Sequence, residues 1–313
     1  MLLLVATNPT IDRLITLPEL HPGQVHRAAA VQFSAGGKAI NVARAAHGLG
    51  IADQLCVGFL AGHAGRFLQE LAEREHLPCC WHCAAQGETK MSHLLLHAQG
   101  DTTVINEPGP TMAPEDWNGF KELIWEKAQR SRAIVLAGTT PPGVAPEDYA
   151  ALCRRLASLP TQVFIDTPGA TLQAVLSNPA GLAIKVNRSE LGQALGLDLT
   201  MPGKLVAAMR VLIGSGARLV GVTLGAEGAV LADANGIYRT VRSPRPQNCI
   251  STVGSGDSFT AGLVAGYLRG WGTQDSLRLA EACGIANLES AQPASFSAER
   301  AQALMSLIQT SPI

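Results

Sequence analysis

The sequence predicts an α/β protein in which a mainly parallel central sheet is flanked by helices and accompanied by a small β-sheet lid. Short apolar runs of strand length alternate with stretches of helical pattern, as expected of β-α-β units. The runs are apolar throughout, which is typical of parallel strands buried on both faces. Of the 313 residues, 47% are hydrophobic and 16% are charged, so the chain can build a large buried core.

Five runs have the length and composition of buried strands. They are Leu2–Ala6, Ala133–Ala137, Gln162–Asp166, Leu182–Val186 and Leu219–Leu224. Because the carboxyl ends of parallel strands meet at one edge of a sheet, where ligands usually bind, we expect a binding site at that edge. The polar or small residues that would line it are Thr7-Asn8-Pro9, Gly138-Thr139-Thr140, Asp166-Thr167, Asn187 and Gly225.

Two segments interrupt this alternation. Arg13–Ser34 and Thr89–Asn106 have extended β patterns, the second with a turn at Gln99-Gly100-Asp101. A small sheet beside the binding edge could be a lid that excludes water, an oligomer interface that makes a homodimer, or both. The chain has no internal repeat and no low-complexity linker, so we expect one domain, residues 1–313, whose lid is formed by about 12–35 and 89–106.

The charge pattern argues against nucleic acid and membranes as partners. The formal net charge is −1 with both signs interspersed, so there is no basic stripe and no polybasic segment. The first apolar run is short and Asp12 follows it closely, which is not typical of a secretion signal or a membrane span. Seven cysteines, an odd number, favour a reducing compartment, and we expect the cytoplasm.

Cys79, Cys80 and Cys83 lie close to His76 and His82 in the sequence. Such a group could bind zinc or carry redox chemistry, but no second Cys/His pair follows at the spacing of a structural zinc site. Free cysteines also pack as small hydrophobic residues. We favour the packing interpretation.

The strongest local signal of function is the glycine-rich segment 251–262, STVGSGDSFTAG, which leads into an apolar helix that continues to about Leu268. Small residues allow backbone N–H groups to approach an anion, and a helix N-terminus adds partial positive charge. Asp257 lies in the first turn of this helix, where it could act as a base beside the anion. The alternative is an ordinary glycine-rich loop that begins a helix. No P-loop pattern occurs in the chain.

Segment 34–45, SAGGKAINVARA, again places a pair of glycines before a helix. Gly36 and Gly37 would allow a ligand to contact the backbone. Lys38 and Asn41 are three residues apart and share one helix face, so a positive charge and an amide would both face polyol hydroxyls and an anion. The alternative is a helix start with Lys38 at the surface.

Together the two segments resemble the signatures of the ribokinase-like (PfkB-type) carbohydrate kinases, and the resemblance covers essentially the whole chain in the right order. It implies a ribokinase-like three-layer fold, ATP as the phosphoryl donor and Mg²⁺ as cofactor. Further stretches that look like those of the family are Asn8-Pro9-Thr10-Ile11-Asp12, Lys185-Val186-Asn187-Arg188-Ser189-Glu190 and Thr223-Leu224-Gly225-Ala226-Glu227-Gly228.

The resemblance implies a role for each matching residue. Asp257 would be the catalytic base, and the backbone amides of Gly254, Ser255 and Gly256 would form an anion hole. The residues expected at the sugar are Asp12, Gly36, Gly37, Lys38 and Asn41. Those expected at the nucleotide are Lys185, Asn187, Thr223, Gly225 and Gly228, while Asn287 is either a contact on the adenine side or a buried helix residue. Asn187 and Glu190 would organise the Mg²⁺ ion.

Within the family, other stretches look like the branch that contains 1-phosphofructokinase and tagatose-6-phosphate kinase. They are residues 23–27, 88–90, 105–110 and 166–169. The chain departs from the family pattern at residues 137–140, at Val186, where proline is common, and at Lys90, where arginine is usual. Lysine cannot reproduce the bidentate grip of arginine on a phosphate.

The resemblance therefore implies ATP-dependent phosphorylation of a ketohexose phosphate. We expect Lys38, Lys90 and Arg27 to converge on the phosphate of this acceptor when the lid closes. One alternative is a kinase of an unphosphorylated sugar or a nucleoside, in which these cations would be lid or surface charges. Another is a non-catalytic protein that binds a sugar or a nucleotide on the same fold.

Overall fold

The computed structural model describes residues 1–97 and 101–313, so Gln99 and Gly100 of the predicted turn lie outside the described residues. One sheet has ten strands. They are β1 (Leu2–Ala6), β4 (Gln54–Ala61), β5 (Cys79–Ala84), β8 (Ala133–Ala137), β9 (Gln162–Asp166), β10 (Leu182–Asn187), β11 (Leu219–Thr223), β12 (Ala229–Asp233), β13 (Gly236–Arg242) and β14 (Gln309–Pro312). A second sheet has four strands, β2 (Thr10–Thr16), β3 (Ala30–Gly36), β6 (Lys90–His97) and β7 (Asp101–Asn106).

The strand order of the large sheet is β14-β13-β12-β11-β10-β9-β8-β1-β4-β5. Pairing is parallel from β5 to β11 and antiparallel from β11 to β14. The five runs predicted as strands are confirmed as β1, β8, β9, β10 and β11, with ends that differ by at most one residue. The other five strands were not predicted: β5, β13 and β14 lack continuous apolar runs, whereas β4 and β12 have such runs and were overlooked. The cysteine- and histidine-rich segment, for example, is the edge strand β5, and its cysteines are free thiols.

Ten helices accompany the sheets in the described residues. They are α1 (Lys38–Gly48), α2 (Gly62–Arg74), α3 (Pro114–Ala128), α4 (Pro146–Ala157), α5 (Gly169–Leu176), α6 (Arg188–Leu195), α7 (Lys204–Gly214), α8 (Ser255–Leu268), α9 (Thr273–Asn287) and α10 (Ala298–Met305). None of them is both long and apolar enough to cross a membrane.

The helices cover both faces of the large sheet, which gives the predicted three layers. Leu2 and Leu4 of β1 belong to a core shared with α1, α2, α8, α9 and α10. Leu3 and Val5 belong to a second core, shared with α3 to α7. Alternate residues of a strand point to opposite faces, so a strand between two apolar cores must be apolar throughout.

The small sheet begins directly after β1 and has the strand order β3-β2-β6-β7. It matches the region predicted for the lid, but residues 17–29 form a loop between β2 and β3, where an extended β pattern was expected. Pro18, Pro22 and Gly23 lie in this loop, and proline has no N–H group to donate to a strand ladder. Thr10 pairs with Gly36 at one end of this hairpin and Thr16 with Ala30 at the other.

Candidate active site

A cavity of about 940 Å³ lies at the carboxyl ends of the parallel strands, between the large sheet and the small one. This is the edge at which the sequence predicted a binding site. Of the predicted site residues, those that line the cavity are Asp12, Gly37, Lys38, Asn41, Lys90, Lys185, Asn187, Glu190, Thr223, Gly254, Gly256 and Asp257.

The turn that begins α8 is shaped to bind an anion. Gly254 has a φ angle of 86°, a left-handed conformation that favours glycine. In the part of the chain that is described, the backbone amides of Gly256 and Asp257 have no hydrogen-bond acceptor. A Cβ atom on Gly256 would lie 2.9 Å from Nζ of Lys185, so a larger residue here would displace the end of this lysine side chain. Free amides at a helix N-terminus next to an ammonium group suit a phosphate.

Asp257 is buried in the first turn of α8, and its Oδ2 accepts a hydrogen bond of 2.7 Å from Nδ2 of Asn41. Burial raises the pKa of Asp257, and Asp166 raises it further, while Lys38, Lys185 and the hydrogen bond from Asn41 oppose the rise. A carboxylate with a raised pKa that faces a cavity is suited to accept a proton.

Asp166, at the end of β9, connects both lysines of the site. Its Oδ1 accepts a hydrogen bond of 2.6 Å from Lys38, and its Oδ2 accepts bonds of 2.8 Å from Lys185 and 2.9 Å from Thr260. Burial alone would raise the pKa of Asp166, but Lys185 and Lys38 together hold it well below its usual range. Two cations around one carboxylate leave a net positive charge beside the turn of α8.

Asn187 and Glu190 form a capping box at the start of α6. Oδ1 of Asn187 accepts from the amide of Glu190 at 2.8 Å, and Oε2 of Glu190 accepts from the amide of Asn187 at 3.0 Å. Oδ1 of Asn187, the oxygen expected to help organise a metal, thus already accepts one hydrogen bond. Oε1 of Glu190 lies 3.9 Å from Nζ of Lys38. Among the described residues no three His, Cys, Asp or Glu side chains are grouped as a metal site.

The small sheet contributes a row of polar side chains to the cavity. Asp12, Ser92 and Asn106 are direct neighbours across β2, β6 and β7, and Oγ of Ser92 donates to Oδ1 of Asn106 at 2.7 Å. Burial raises the pKa of Asp12 to about 7. Sequence reasoning missed Ser92 and Asn106, because only the strand register shows that they share a row with Asp12.

Lys90 is paired with Thr10 at the cavity end of the small sheet. Burial lowers its pKa, and in the described residues no carboxylate lies within 4.0 Å of its ammonium group. Gly36 of β3 pairs with Thr10 from the other side of β2, and a Cβ atom on it would overlap the carboxyl group of Asp12. A glycine is therefore needed at this position if Asp12 is to be buried.

The three cations that we expect to converge when the lid closes lie apart in this structure. Arg27 is exposed in the loop between β2 and β3 and does not line the cavity. The hairpin positions it there, because six strand residues of about 3.3 Å each separate this loop from the cavity end, about 20 Å away. Lys38 pairs with Asp166, whereas the carboxylates that act on Lys90 are Asp12 and Glu107. Of these three cations, Lys38 and Lys90 line the cavity and Arg27 does not.

Only some of the residues predicted to contact the nucleotide line the cavity. Gly225 and Gly228 lie outside the cavity lining, in the turn after β11, and both have positive φ angles. Asn287 is fully buried, where its Nδ2 donates to the carbonyl of Val253 and to Oγ of Ser255, and its Oδ1 accepts from the amide of Ala294. The structure therefore favours the second interpretation of Asn287, a buried helix residue. It supports the turn before α8 instead of facing a ligand.

Known proteins resemble this chain along its whole length. The profile of the pfkB family of carbohydrate kinases matches residues 1–300. A 1-phosphofructokinase of Xanthomonas campestris pv. campestris is 34% identical over 292 residues, which cover 91% of this chain and 90% of that protein. Phosphofructokinase-2 of Escherichia coli in complex with fructose-6-phosphate has a TM-score of 0.88 at 24% identity and covers 98% of both chains. A protein of Thermotoga maritima described as a possible 1-phosphofructokinase has a TM-score of 0.91 at 23% identity, with 100% and 99% covered.

The buried pairing of Asp166 generates the first prediction. Asp166→Ala should lower the free energy of unfolding by about 3–5 kcal/mol, because it leaves Lys185 and Lys38 without their carboxylate. The matched control is Glu122→Ala, which removes the partner of Arg155 on the surface and should cost at most about 1 kcal/mol. Urea denaturation measures both. Equal losses in the two variants would contradict a structural role for the buried cluster.

Proposed function

This chain belongs to the pfkB family of carbohydrate kinases and is an ATP-dependent sugar kinase, and we propose that its acceptor is a ketohexose phosphate. The observation that carries the proposal is Lys90. Its ammonium group is half-buried in the cavity and has no carboxylate partner within salt-bridge distance among the described residues. A cation that is removed from water without a partner costs free energy unless a ligand supplies the negative charge.

The phosphate of the acceptor would bind to Lys90 at the small sheet. A free sugar offers hydroxyls only, which suit the neighbouring row of Asp12, Ser92 and Asn106 but bring no negative charge to Lys90. A phosphate would form charge-assisted hydrogen bonds there, each worth about 1.5–3 kcal/mol. The names of the 34% identical relative and of the Escherichia coli enzyme solved with fructose-6-phosphate support the same class of acceptor.

The opposite side of the cavity would hold the phosphates of ATP. The free amides of Gly256 and Asp257, together with Lys185 and Lys38, offer donors and positive charge where the transferred phosphoryl group would develop negative charge. Asp257 would take the proton from the acceptor hydroxyl. Thr223 lines the same side, and the turn with Gly225 and Gly228 follows it, which supports a position for the nucleotide beside the ends of β10 and β11.

The donor set near these phosphates fits Mg²⁺. Oε1 of Glu190 is a hard oxygen ligand, and Mg²⁺ commonly binds one or two carboxylates while phosphates and water complete its coordination. Asp166 is less available, since both of its oxygens accept hydrogen bonds. When bound, the ion would neutralise charge on the nucleotide phosphates.

A second copy of the chain would cover the small sheet. Val31, Phe33 and Ile105, which the strand register puts on one face of that sheet, expose between 42% and 54% of their surface, and exposed apolar side chains of this kind are typical of an interface. Phosphofructokinase-2 of Escherichia coli has also been solved in a tetrameric form. These observations support a homodimer through the lid. The seven free cysteines support a reducing compartment such as the cytoplasm.

Asp257→Asn tests the catalytic base. The amide preserves shape but cannot accept the proton, so kcat should fall by about 10²–10⁴-fold while nucleotide affinity is retained. Coupled-enzyme kinetics and calorimetric titration with a non-hydrolysable ATP analogue measure the two properties. A kcat near that of the wild type would show that another group removes the proton. Wild-type protein that binds ATP and sugar phosphate but never turns over would favour the non-catalytic alternative.

Lys90→Ala tests the acceptor class. In a panel of fructose 1-phosphate, fructose 6-phosphate, tagatose 6-phosphate and the free sugars, kcat/KM for the best sugar phosphate should fall about 10-fold or more, with little change for the free sugar. Lys90→Arg is the matched control and should be tolerated, because it retains the charge and adds a bidentate grip. Equal losses on phosphorylated and free sugars would mean that Lys90 shapes the lid. A free sugar or nucleoside as the better substrate would refute the proposed acceptor.

Chelation tests the cofactor. Excess EDTA should abolish turnover, because the phosphate charge is then not neutralised, and added Mg²⁺ should restore it. Glu190→Gln should raise the Mg²⁺ concentration needed for half-maximal activity, since it removes a charged oxygen ligand while an amide oxygen can still cap α6. Full activity in EDTA would remove the metal from the proposed function.

A further inference from the structure

The carboxylate of Asp257 is held by a chain of hydrogen bonds that begins at Arg44 of α1. We propose that Arg44 is a positioning residue for the catalytic base: it fixes the orientation of the Asn41 amide, and Asn41 in turn holds Asp257. The inference rests on the proposed function only in taking Asp257 as the base.

Arg44 uses its whole guanidinium group inside the protein, with 10% of its side chain exposed. Nη1 donates to Oδ1 of Asn41 and to the carbonyl of Pro293, both at 2.9 Å. Nε donates to Oε2 of Glu75 at 2.7 Å, and Nη2 donates to the carbonyl of Ala35. The carboxylate of Glu75 also accepts from the amide of Ala35 at 3.0 Å. The planar fork of arginine is required to reach these acceptors at the same time.

The partners at both ends of Asn41 dictate which way its amide points. Arginine can only donate, so the atom that faces Arg44 must be the oxygen. An ionised carboxylate can only accept, so the atom that faces Asp257 must be the nitrogen. A rotated amide would place N–H groups against the guanidinium and an oxygen against the carboxylate, which are two repulsive contacts in a buried site.

This orientation has a consequence for the chemistry of Asp257. The bond from Asn41 occupies Oδ2, while Oδ1 has no hydrogen-bond donor in the described part of the chain and is left for the acceptor hydroxyl. The same bond stabilises the ionised form and opposes the rise in the pKa of Asp257 that burial causes. Without Arg44, the amide of Asn41 could turn its oxygen toward Asp257, which would favour the protonated acid and raise the pKa of Asp257 further.

Other charged groups also affect the pKa of Asp257, and the experiment must separate their effects from that of Arg44. Lys38 of α1, Lys185 of β10 and Asp166 of β9 are unchanged in an Arg44 variant. Asp12 of β2 is not independent, because burial raises its pKa, Arg44 lowers it and Asp257 raises it. The test therefore has to distinguish an effect through Asn41 from an effect of the Arg44 charge.

The experiment measures kcat against pH for wild type, Arg44→Met, Asn41→Ala and the double variant, with the best acceptor of the panel. Arg44→Met should move the acid limb up by about one to two pH units, the shift that corresponds to the loss of one charge-assisted hydrogen bond. It should leave KM for ATP unchanged. Asn41→Ala should move the limb in the same direction, and the double variant should move it no further, because Arg44 acts through Asn41.

Arg278→Met is the matched control for a purely structural role. Arg278 of α9 also donates to two backbone carbonyls, those of Met305 and Ile308, and to one carboxylate, that of Asp275. Its loss should lower stability without moving the acid limb. If Arg44→Met behaves like Arg278→Met, or if the shifts of Arg44→Met and Asn41→Ala add in the double variant, the proposal is overturned.

Two further measurements keep the outcome decisive. If Arg44→Met does not fold, Arg44→Lys replaces it. One ammonium group cannot reach all the acceptors of the guanidinium, so the acid limb should still move to higher pH. An acid limb at the wild-type pH would show that the charge alone is sufficient and would overturn the proposal. If no ketohexose phosphate is turned over, the proposed function fails by itself. ¹³C-NMR titration of the Asp257 carboxyl, assigned with Asp257→Asn, then tests the orientation without any turnover, and equal pKa values in wild type and Arg44→Lys would overturn the proposal.

Discussion

Asp166 lies between Lys38 and Lys185, and the arrangement of the site depends on this buried pairing. A carboxylate away from water is stable only when it is paired, and the pairing in turn fixes both ammonium groups. Lys38 is thereby held 3.9 Å from Glu190, and Lys185 lies against Gly256 in the turn of α8. Lys38, Lys185 and Asp166 together carry one positive charge, and it lies beside the turn that begins α8.

The parallel topology brings distant segments to this cluster. Asn41 and Asp257 are 216 residues apart in the chain, and Lys38 and Asp166 are 128 apart, yet both pairs are hydrogen-bonded. They meet because α1 and α8 pack on the same face of the sheet and because β9 and β10 end at the same edge. The site thus depends on long-range packing across the large sheet.

The parts of the molecule that could be predicted from sequence are those whose physical requirement is local. β1 and β8 to β11 are buried on both faces, so each appears as a continuous apolar run, and Gly254 is recognisable because the turn needs a positive φ angle. The register of the small sheet leaves no such local signal, so Ser92 and Asn106 were missed. The position of Arg27 in the loop away from the cavity also leaves no local signal, since only the hairpin geometry shows which end of the sheet meets the cavity. Asp166 was recognised as a strand end, but its two lysine partners come from other parts of the fold.

The helix that carries Asp257 is buried from that residue to Gly266. It packs so closely on α9 that a Cβ atom on Gly262 would lie 2.5 Å from the Cα atom of Ala280. The base and its anion turn are therefore part of the hydrophobic core and are not carried on a surface loop. Local fraying, which releases loops and termini at low cost in free energy, cannot release this helix without disrupting the core. Heat would then inactivate the catalytic group through the same cooperative transition that unfolds the protein.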